Sequence, residues 1–131
     1  MQLCMPDPNG THFGGLSLEE FKKLRWWRTE LSFDKTIFHP DSYRDIKGLI
    51  EYCGADEILL GHAKFQGYSP HSREFMPRLI VSMIKTRKFN APIVCIRTNE
   101  GFKVLDGTHR LSAAFLLKDE ITIPLAAWIG E

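Results

Sequence analysis

The sequence predicts an α+β protein in which helices cover a small mixed sheet. One observation is that residues 57–131 alternate short apolar, β-branched runs with segments whose apolar residues recur at helical spacing. Another is a helical stripe earlier in the chain, formed by Ile46, Leu49, Ile50 and Cys53. The third is the balance of 44% hydrophobic and 25% charged residues in a chain of 131, which suits one domain with a proper core.

The chain begins with a segment, residues 1–15, whose Pro and Gly content predicts a loop. Ser17 and Glu20 have the spacing of a capping box, which predicts the start of a helix. Trp26 and Trp27 are expected near the end of that helix. Two adjacent residues cannot share one helix face, so we expect one Trp to be packed and the other to make a second contact or to be partly exposed.

Residues 31–39 are either a short strand or an extended connector. A second helix is expected after them, ending at Gly54, because glycine suits the position that terminates a helix. These elements predict that residues 1–55 form a helical extension packed on a core domain of residues 56–131.

The second half of the chain is predicted to supply the sheet. Four strands are expected from its apolar and β-branched runs, at residues 57–65, 92–96, 102–105 and 121–129. A helix follows the loop of residues 66–73, and we expect it to start near residues 74–76, because Pro77 fits only in a first turn. Another helix follows Asp106-Gly107, while Asn99-Glu100-Gly101 predicts a hairpin turn.

Composition excludes several classes of protein. The net charge of +1 argues against a polycation that binds nucleic acid over its whole surface. The apolar runs are too short to span a membrane and no signal-peptide core is apparent, so a cytoplasmic protein is expected. Three separated Cys residues without a CxxC pair predict neither a disulfide framework nor a zinc site, and no HxxxH or acidic pair indicates another built-in metal site.

The stretch of residues 101–117 carries the strongest chemical pattern. A strand ends at Asp106, Gly107 makes a tight turn, and an amphipathic helix begins with Thr108, His109 and Arg110. The N-terminus of a helix has unpaired N–H groups and a partial positive charge, so this turn is a candidate anion site. A cationic first turn is also the opposite of what the helix dipole prefers, and such mismatches tend to fall at functional sites.

Five motifs follow one another in a fixed order along residues 57–131. They are Ser69-Pro70-His71-Ser72-Arg73, Ser82-Met83-Ile84, Pro92-Ile93-Val94-Cys95, Asp106-Gly107-Thr108-His109-Arg110 and Thr122-Ile123-Pro124-Leu125. This series resembles the ParB/sulfiredoxin superfamily, whose fold is built around a strand–turn–helix nucleotide site. The resemblance implies that fold for residues 57–131, and the segment before it lies outside the resemblance.

The resemblance implies a site for the phosphates of ATP, CTP or ADP, with Mg²⁺ accompanying the nucleotide. Gly107 would let the backbone approach a phosphate, Thr108 would hydrogen-bond it, and Arg110 would supply a charged fork. His109 would donate a hydrogen bond or carry a proton, and Asp106 would orient His109 or hold Mg²⁺ through water. Arg73 of the Ser-Pro loop is a further candidate for the phosphates.

The sequence departs from sulfiredoxin at decisive positions. Sulfiredoxin has a catalytic Cys immediately before its His-Arg pair, whereas this chain has Thr108, so sulfinic acid repair is not expected. The preceding helix places apolar Met76, Leu79 and Met83 where sulfiredoxin has polar phosphate contacts. The motif of residues 106–110 is closer to that of stand-alone members such as the free serine kinases. The catalytic carboxylate of those kinases lies early in the domain, which makes Glu57 a candidate.

Three functions stay open at the level of sequence. The first is a protein that binds ATP or CTP, either without a reaction or with hydrolysis or transfer of a phosphoryl group. The second is a DNA-binding or nuclease module that uses the same basic turn on a phosphodiester. The third is a protein-interaction or inhibitor protein with an idle nucleotide site, for which Trp26 and Trp27 are candidate contacts. Arg110 also has a purely structural alternative, an ion pair with Asp119 or Glu120.

Overall fold

A computed structural model describes residues 5–131 as an α+β protein with a four-stranded mixed sheet. The strands are β1 (Trp26–Leu31), β2 (Ile93–Thr98), β3 (Gly101–Asp106) and β4 (Leu125–Gly130). The helices are α1 (Leu18–Lys23), α2 (Pro40–Gly54), α3 (His71–Thr86) and α4 (Thr108–Leu117). The first four residues of the predicted N-terminal loop, which include Cys4, lie outside the described residues.

The strands are arranged in the order β1-β4-β2-β3. β4 pairs antiparallel with β1 and parallel with β2, while β2 and β3 form an antiparallel hairpin. A parallel pair needs a crossover connection, and β3 and α4 lie in the segment that joins β2 to β4. This crossover brings the start of α4 to the end of β3, at the Gly107 turn.

The two faces of the sheet are covered differently. α2, α3 and α4 pack on one face around a large core that includes Ile46, Met83, Ile93, Leu111 and Ile129. The opposite face carries a smaller cluster in which α1 and the preceding arm contribute, and its buried members are Phe21, Val94 and Leu105. Alternation of side chains along the strands separates the two clusters.

Trp26 and Trp27 do not end a helix, because α1 stops at Lys23 and both residues begin β1. In a strand, neighbouring side chains point to opposite faces, so Trp26 joins the Phe21 cluster and Trp27 joins the main core. The capping box of Ser17 and Glu20 is confirmed. The predicted helical extension therefore contains a strand, and β1 pairs with β4 from Trp26↔Gly130 to Leu31↔Leu125.

The predicted strand at residues 57–65 is wrong. The structure has two single-turn 3-10 helices there, Glu57–Leu59 and Ala63–Phe65, and Ile58 is 93% exposed. A short apolar run cannot be assigned to a strand by its periodicity alone, and here most of its apolar side chains are not buried in the core. The open choice for residues 31–39 resolves into the end of β1, a 3-10 turn at Phe33–Lys35 and a single bridge from Phe38 to Phe102.

The helix predicted from about residue 75 begins earlier, at His71, and contains Pro77 in its interior. An internal proline removes one helix hydrogen bond and costs about 3 kcal/mol. Burial of Met76, Leu79 and Met83 against the main core stabilises the helix on both sides of it and offsets that cost. The other predicted elements are found within a few residues of their expected bounds. Within residues 5–131, no helix is both long and apolar enough to cross a membrane.

Candidate phosphate-binding site

The Gly107 turn joins β3 to α4 and confirms the predicted strand–turn–helix. Gly107 is buried and has φ +100°, a conformation that residues with a Cβ rarely adopt. A Cβ at this position would lie 2.6 Å from Cγ2 of buried Ile93 and 3.0 Å from Nη2 of Arg110. Backbone conformation and close packing therefore both require glycine where the chain enters α4.

The first turn of α4 offers unpaired backbone donors. The N–H of Leu111 donates to the carbonyl of Gly107 at 3.0 Å and is the first to find a partner in the helix. Among the described residues, nothing accepts a hydrogen bond from the N–H of Thr108, His109 or Arg110, and no side chain caps the helix. These donors and the helix dipole favour an anion at this end of α4.

The start of α4 opens into a groove of about 630 Å³ between α2, α3 and residues 64–69. We call it the α4 groove, and its polar lining includes Asp45, Lys64, Tyr68, Ser72, Thr108 and His109. Small-molecule sites commonly have volumes of roughly 300–1,000 Å³. The α4 groove is therefore large enough for a nucleotide.

His109 is the central titratable group of the α4 groove. Its Nε2 lies 2.8 Å from Oγ of Ser72, and its ring meets Phe75 edge-on with 5.6 Å between centroids. Burial of the imidazole lowers the pKa of His109, and the charge of Arg110 lowers it further. At neutral pH the ring is therefore uncharged and can accept a proton.

Ser72 is a site residue that sequence reasoning missed. Met76, Leu79 and Met83, which the resemblance placed where sulfiredoxin has polar contacts, are buried in the main core, but α3 starts several residues earlier than expected. Because α3 begins at His71, Ser69 and Ser72 stand at its N-terminal end and both line the α4 groove. The Ser69-Pro70 pair was the available signal, since Pro is common at helix starts and Ser is common just before them.

Arg110 points to the other side of the Gly107 turn. Its Nη2 donates to the carbonyl of Pro92 at 3.0 Å, and its Nε is buried without a partner among the described residues. The side chain enters a second hollow of about 330 Å³ between the N-terminal arm and the sheet. We call this the arm hollow, and its lining includes Asp7, Arg28, Val94, Asp106, Arg110 and Trp128.

Two electrostatic effects act on Arg110 in the arm hollow. Burial lowers the pKa of its guanidinium, while the nearby Asp106 carboxylate opposes that shift. The ion pair considered for Arg110 with Asp119 or Glu120 is not found, and the Pro92 carbonyl takes that place. Asp106 and Arg110 therefore both line the arm hollow, whereas His109 lines the α4 groove.

Arg73 and Glu57 are not brought to the α4 groove. Arg73 donates to the carbonyls of Tyr52 and, at 2.8 Å, Ala55, so its guanidinium satisfies the carboxyl end of α2. Its charge also lies over the Tyr52 ring at 5.7 Å. Glu57 begins an exposed 3-10 turn and is not part of the groove lining.

The α4 groove also contains charged groups that the sequence did not single out. Lys64 forms a 2.6 Å ion pair with Glu51 at its rim, and Asp45 contributes the only carboxylate among the described residues of the lining. No cluster of three or more His, Cys, Asp or Glu side chains in residues 5–131 is arranged to hold a metal ion.

In comparisons with family models, curated proteins and solved structures, nothing matches this chain.

Proposed function

We propose that the α4 groove binds ATP or CTP through its phosphates and supports hydrolysis or transfer of a phosphoryl group. The observation that carries this proposal is the first turn of α4, whose N–H groups have no partner among residues 5–131 and whose Thr108 and His109 line a groove of nucleotide size. Phosphoryl transfer depends mainly on positioning and on neutralising charge. Oriented backbone donors contribute to both.

Thr108, His109 and Arg110 would contribute to the site in different ways. The Thr108 hydroxyl and the N–H groups of the first turn would hydrogen-bond phosphate oxygens. An uncharged His109 would accept or donate one hydrogen bond instead of forming an ion pair. Arg110 would contribute its N–H, because its guanidinium is directed into the arm hollow.

Asp45 is the residue in the α4 groove that fits a magnesium ion. Mg²⁺ is usually held by one or two carboxylates together with substrate phosphates, so a full protein cage is not required. Asp45 is exposed within the lining, whereas the expected Asp106 lines the arm hollow beside Arg110. When bound, Mg²⁺ would neutralise charge on the phosphates.

Thermal unfolding with ATP, CTP and ADP, with and without Mg²⁺, tests the proposal. A ligand present at 100 times its Kd should add about 2.7 kcal/mol to the free energy of unfolding. Thr108→Ala should weaken the shift, and Thr122→Ala, an exposed Thr outside the α4 groove, should leave it unchanged. If none of the nucleotides raises the unfolding temperature, the proposal is wrong.

The same proteins distinguish the two other functions. Nicking of plasmid DNA by the wild type but not by His109→Ala would support the nuclease function instead. Specific binding to a protein partner without any nucleotide shift would support the interaction function.

A further inference from the structure

We propose that Ser72 accepts the γ-phosphoryl group of the nucleotide and that His109 takes the proton of its hydroxyl. This inference rests on the proposed nucleotide function and adds a covalent intermediate to it. Its basis is the 2.8 Å contact between Ser72 Oγ and His109 Nε2 inside the α4 groove. A serine hydroxyl is a weak nucleophile until an adjacent base removes its proton, and a hydrogen-bonded histidine is the common solution.

Ser72 differs from the other hydroxyl groups of the α4 groove. Tyr68, Ser69 and Thr108 also line it, but among the described lining residues only Ser72 is hydrogen-bonded to a histidine. The Ser69 hydroxyl is engaged otherwise, since it accepts a hydrogen bond from the N–H of His71 at 3.3 Å. The contact to His109 therefore selects Ser72 as the nucleophile.

The surroundings hold both groups in place. Ser72 is 6% exposed, its N–H donates to the Ser69 carbonyl at 3.0 Å, and its carbonyl accepts from Sγ of Cys53 at 3.6 Å. The ring of His109 is supported by Phe75. A nucleophile and a base fixed in contact before substrate arrives need little reorganisation during the reaction.

The charges around His109 favour a base. Burial and the positive charge of Arg110 keep the imidazole neutral at physiological pH, and Asp45 and Lys64 are the other charged residues of the groove lining. The tautomer with its proton on Nδ1 leaves Nε2 free to accept a hydrogen bond from Ser72. The first-turn N–H groups of α4 stand beside this pair, because His109 belongs to that turn.

The transfer is balanced without a further reactant. Ser72 Oγ forms a bond to the γ-phosphorus as the bond from that phosphorus to the β,γ-bridging oxygen breaks. The serine proton passes to His109 Nε2, and the bonding electron pair leaves with the nucleoside diphosphate. His109 then releases that proton to solvent and is neutral again. Water attacks the phosphorus of the phosphoserine as the bond to Ser72 Oγ breaks, and one water proton passes through His109 Nε2 to Ser72 Oγ. Inorganic phosphate leaves and the serine is restored.

The test uses the whole protein with Mg²⁺ and γ-labelled ATP or CTP. Samples quenched in acid during a single turnover are analysed by peptide mass spectrometry, and nucleotide binding is measured in parallel by thermal shift. The wild type should carry one phosphoryl group on Ser72, and Ser72→Ala should carry none. His109→Gln should still bind nucleotide but form the phosphoserine about 100-fold more slowly. Ser82→Ala, which changes another serine of α3 outside the groove lining, should be labelled like the wild type.

If the phosphoserine is hydrolysed too quickly to accumulate, the stereochemical course of hydrolysis at the γ-phosphorus is measured instead. Two successive displacements retain the configuration of a chiral thiophosphate, whereas direct attack by water inverts it. Phosphoserine at Ser72 or retained configuration supports the inference. Bound nucleotide with neither result overturns it and shows that the Ser72–His109 contact only joins α3 to α4. If nucleotide does not bind at all, the proposed function itself fails.

Discussion

The α4 groove and the arm hollow lie on opposite sides of one glycine, and residues 106–110 contribute to both. The groove holds an uncharged His109 against Ser72, beside N–H groups that have no partner in the described part of the chain. The hollow instead brings Arg110 near Asp106, whose carboxylate opposes the lowering of the Arg110 pKa by burial. Successive residues of a helix point about 100° apart, so neighbours in sequence can serve different cavities. The cationic first turn seen in the sequence is therefore divided between two environments.

The largest expected effect is a loss of stability on substitution of Gly107, which lies between the α4 groove and the arm hollow. Gly107→Ala forces a Cβ into a left-handed backbone conformation and against buried Ile93. We expect the free energy of unfolding to fall by about 2–5 kcal/mol from strain and overpacking together. Urea unfolding measures this change. Gly54→Ala is the control, because a Cβ there meets nothing within 4 Å, and equal effects at both glycines would contradict the packing described.

We expect substitution of Arg110 to affect mainly the stability of the fold and substitution of His109 to affect mainly nucleotide binding. Arg110→Met removes the hydrogen bond to the Pro92 carbonyl, so we expect a loss of about 1.5–3 kcal/mol in the free energy of unfolding. His109→Ala should instead weaken nucleotide binding more than it weakens the fold. Calorimetry and urea unfolding on both variants give the four values needed. A larger loss of nucleotide affinity in Arg110→Met than in His109→Ala would reverse the assignment of the two cavities.

A smaller effect is expected from the contact between Ser72 and His109. The single variants Ser72→Ala and His109→Ala and the double variant form a double-mutant cycle. We expect a coupling energy of about 1 kcal/mol, as for an ordinary side-chain hydrogen bond. A coupling near zero from urea unfolding would mean that the two side chains do not interact in solution.

The smallest effect should be the dependence of stability on pH in the α4 groove. Because burial lowers the pKa of His109 below its usual 6.5, the unfolded chain binds its proton first as pH falls. The contribution of this residue is therefore fully present above pH 6.5 and declines below it. His109→Gln should flatten the decline measured by urea unfolding between neutral and mildly acidic pH. The exposed His71→Gln is the control, and an unchanged slope in His109→Gln would contradict the prediction.

The fold class and the turn could be predicted because their signals are local. Periodic apolar residues define α2 and α4, and Asp106-Gly107 marks the change from strand to helix. Trp26 and Trp27 were misplaced because neighbouring aromatic residues fit a strand whose two faces are both covered, and that cover is a tertiary feature. At residues 57–65 the error is the reverse: the sequence pattern is that of a strand, but the segment does not pair with any strand of the described sheet.

The site was predictable only in part. The position of the candidate anion site follows from a helix that starts after a glycine, which the sequence contains. The Ser72–His109 contact depends on how α3 packs against α4, and no spacing along the chain encodes it. The direction of Arg110 also follows from packing, because it depends on the location of the Pro92 carbonyl.

The sheet order has a consequence for how the protein is made. β4 is the last of the described strands to be synthesised, yet it lies between β1 and β2 and pairs with both. During translation the hydrogen-bonding edge of β1 therefore has no partner strand until β4 is made. Joining strands so distant in sequence requires closure of a long loop, which slows folding and lengthens exposure to aggregation. The sheet of a nascent chain is thus completed only when β4 inserts between β1 and β2, and a chaperone would have to protect the chain until that step.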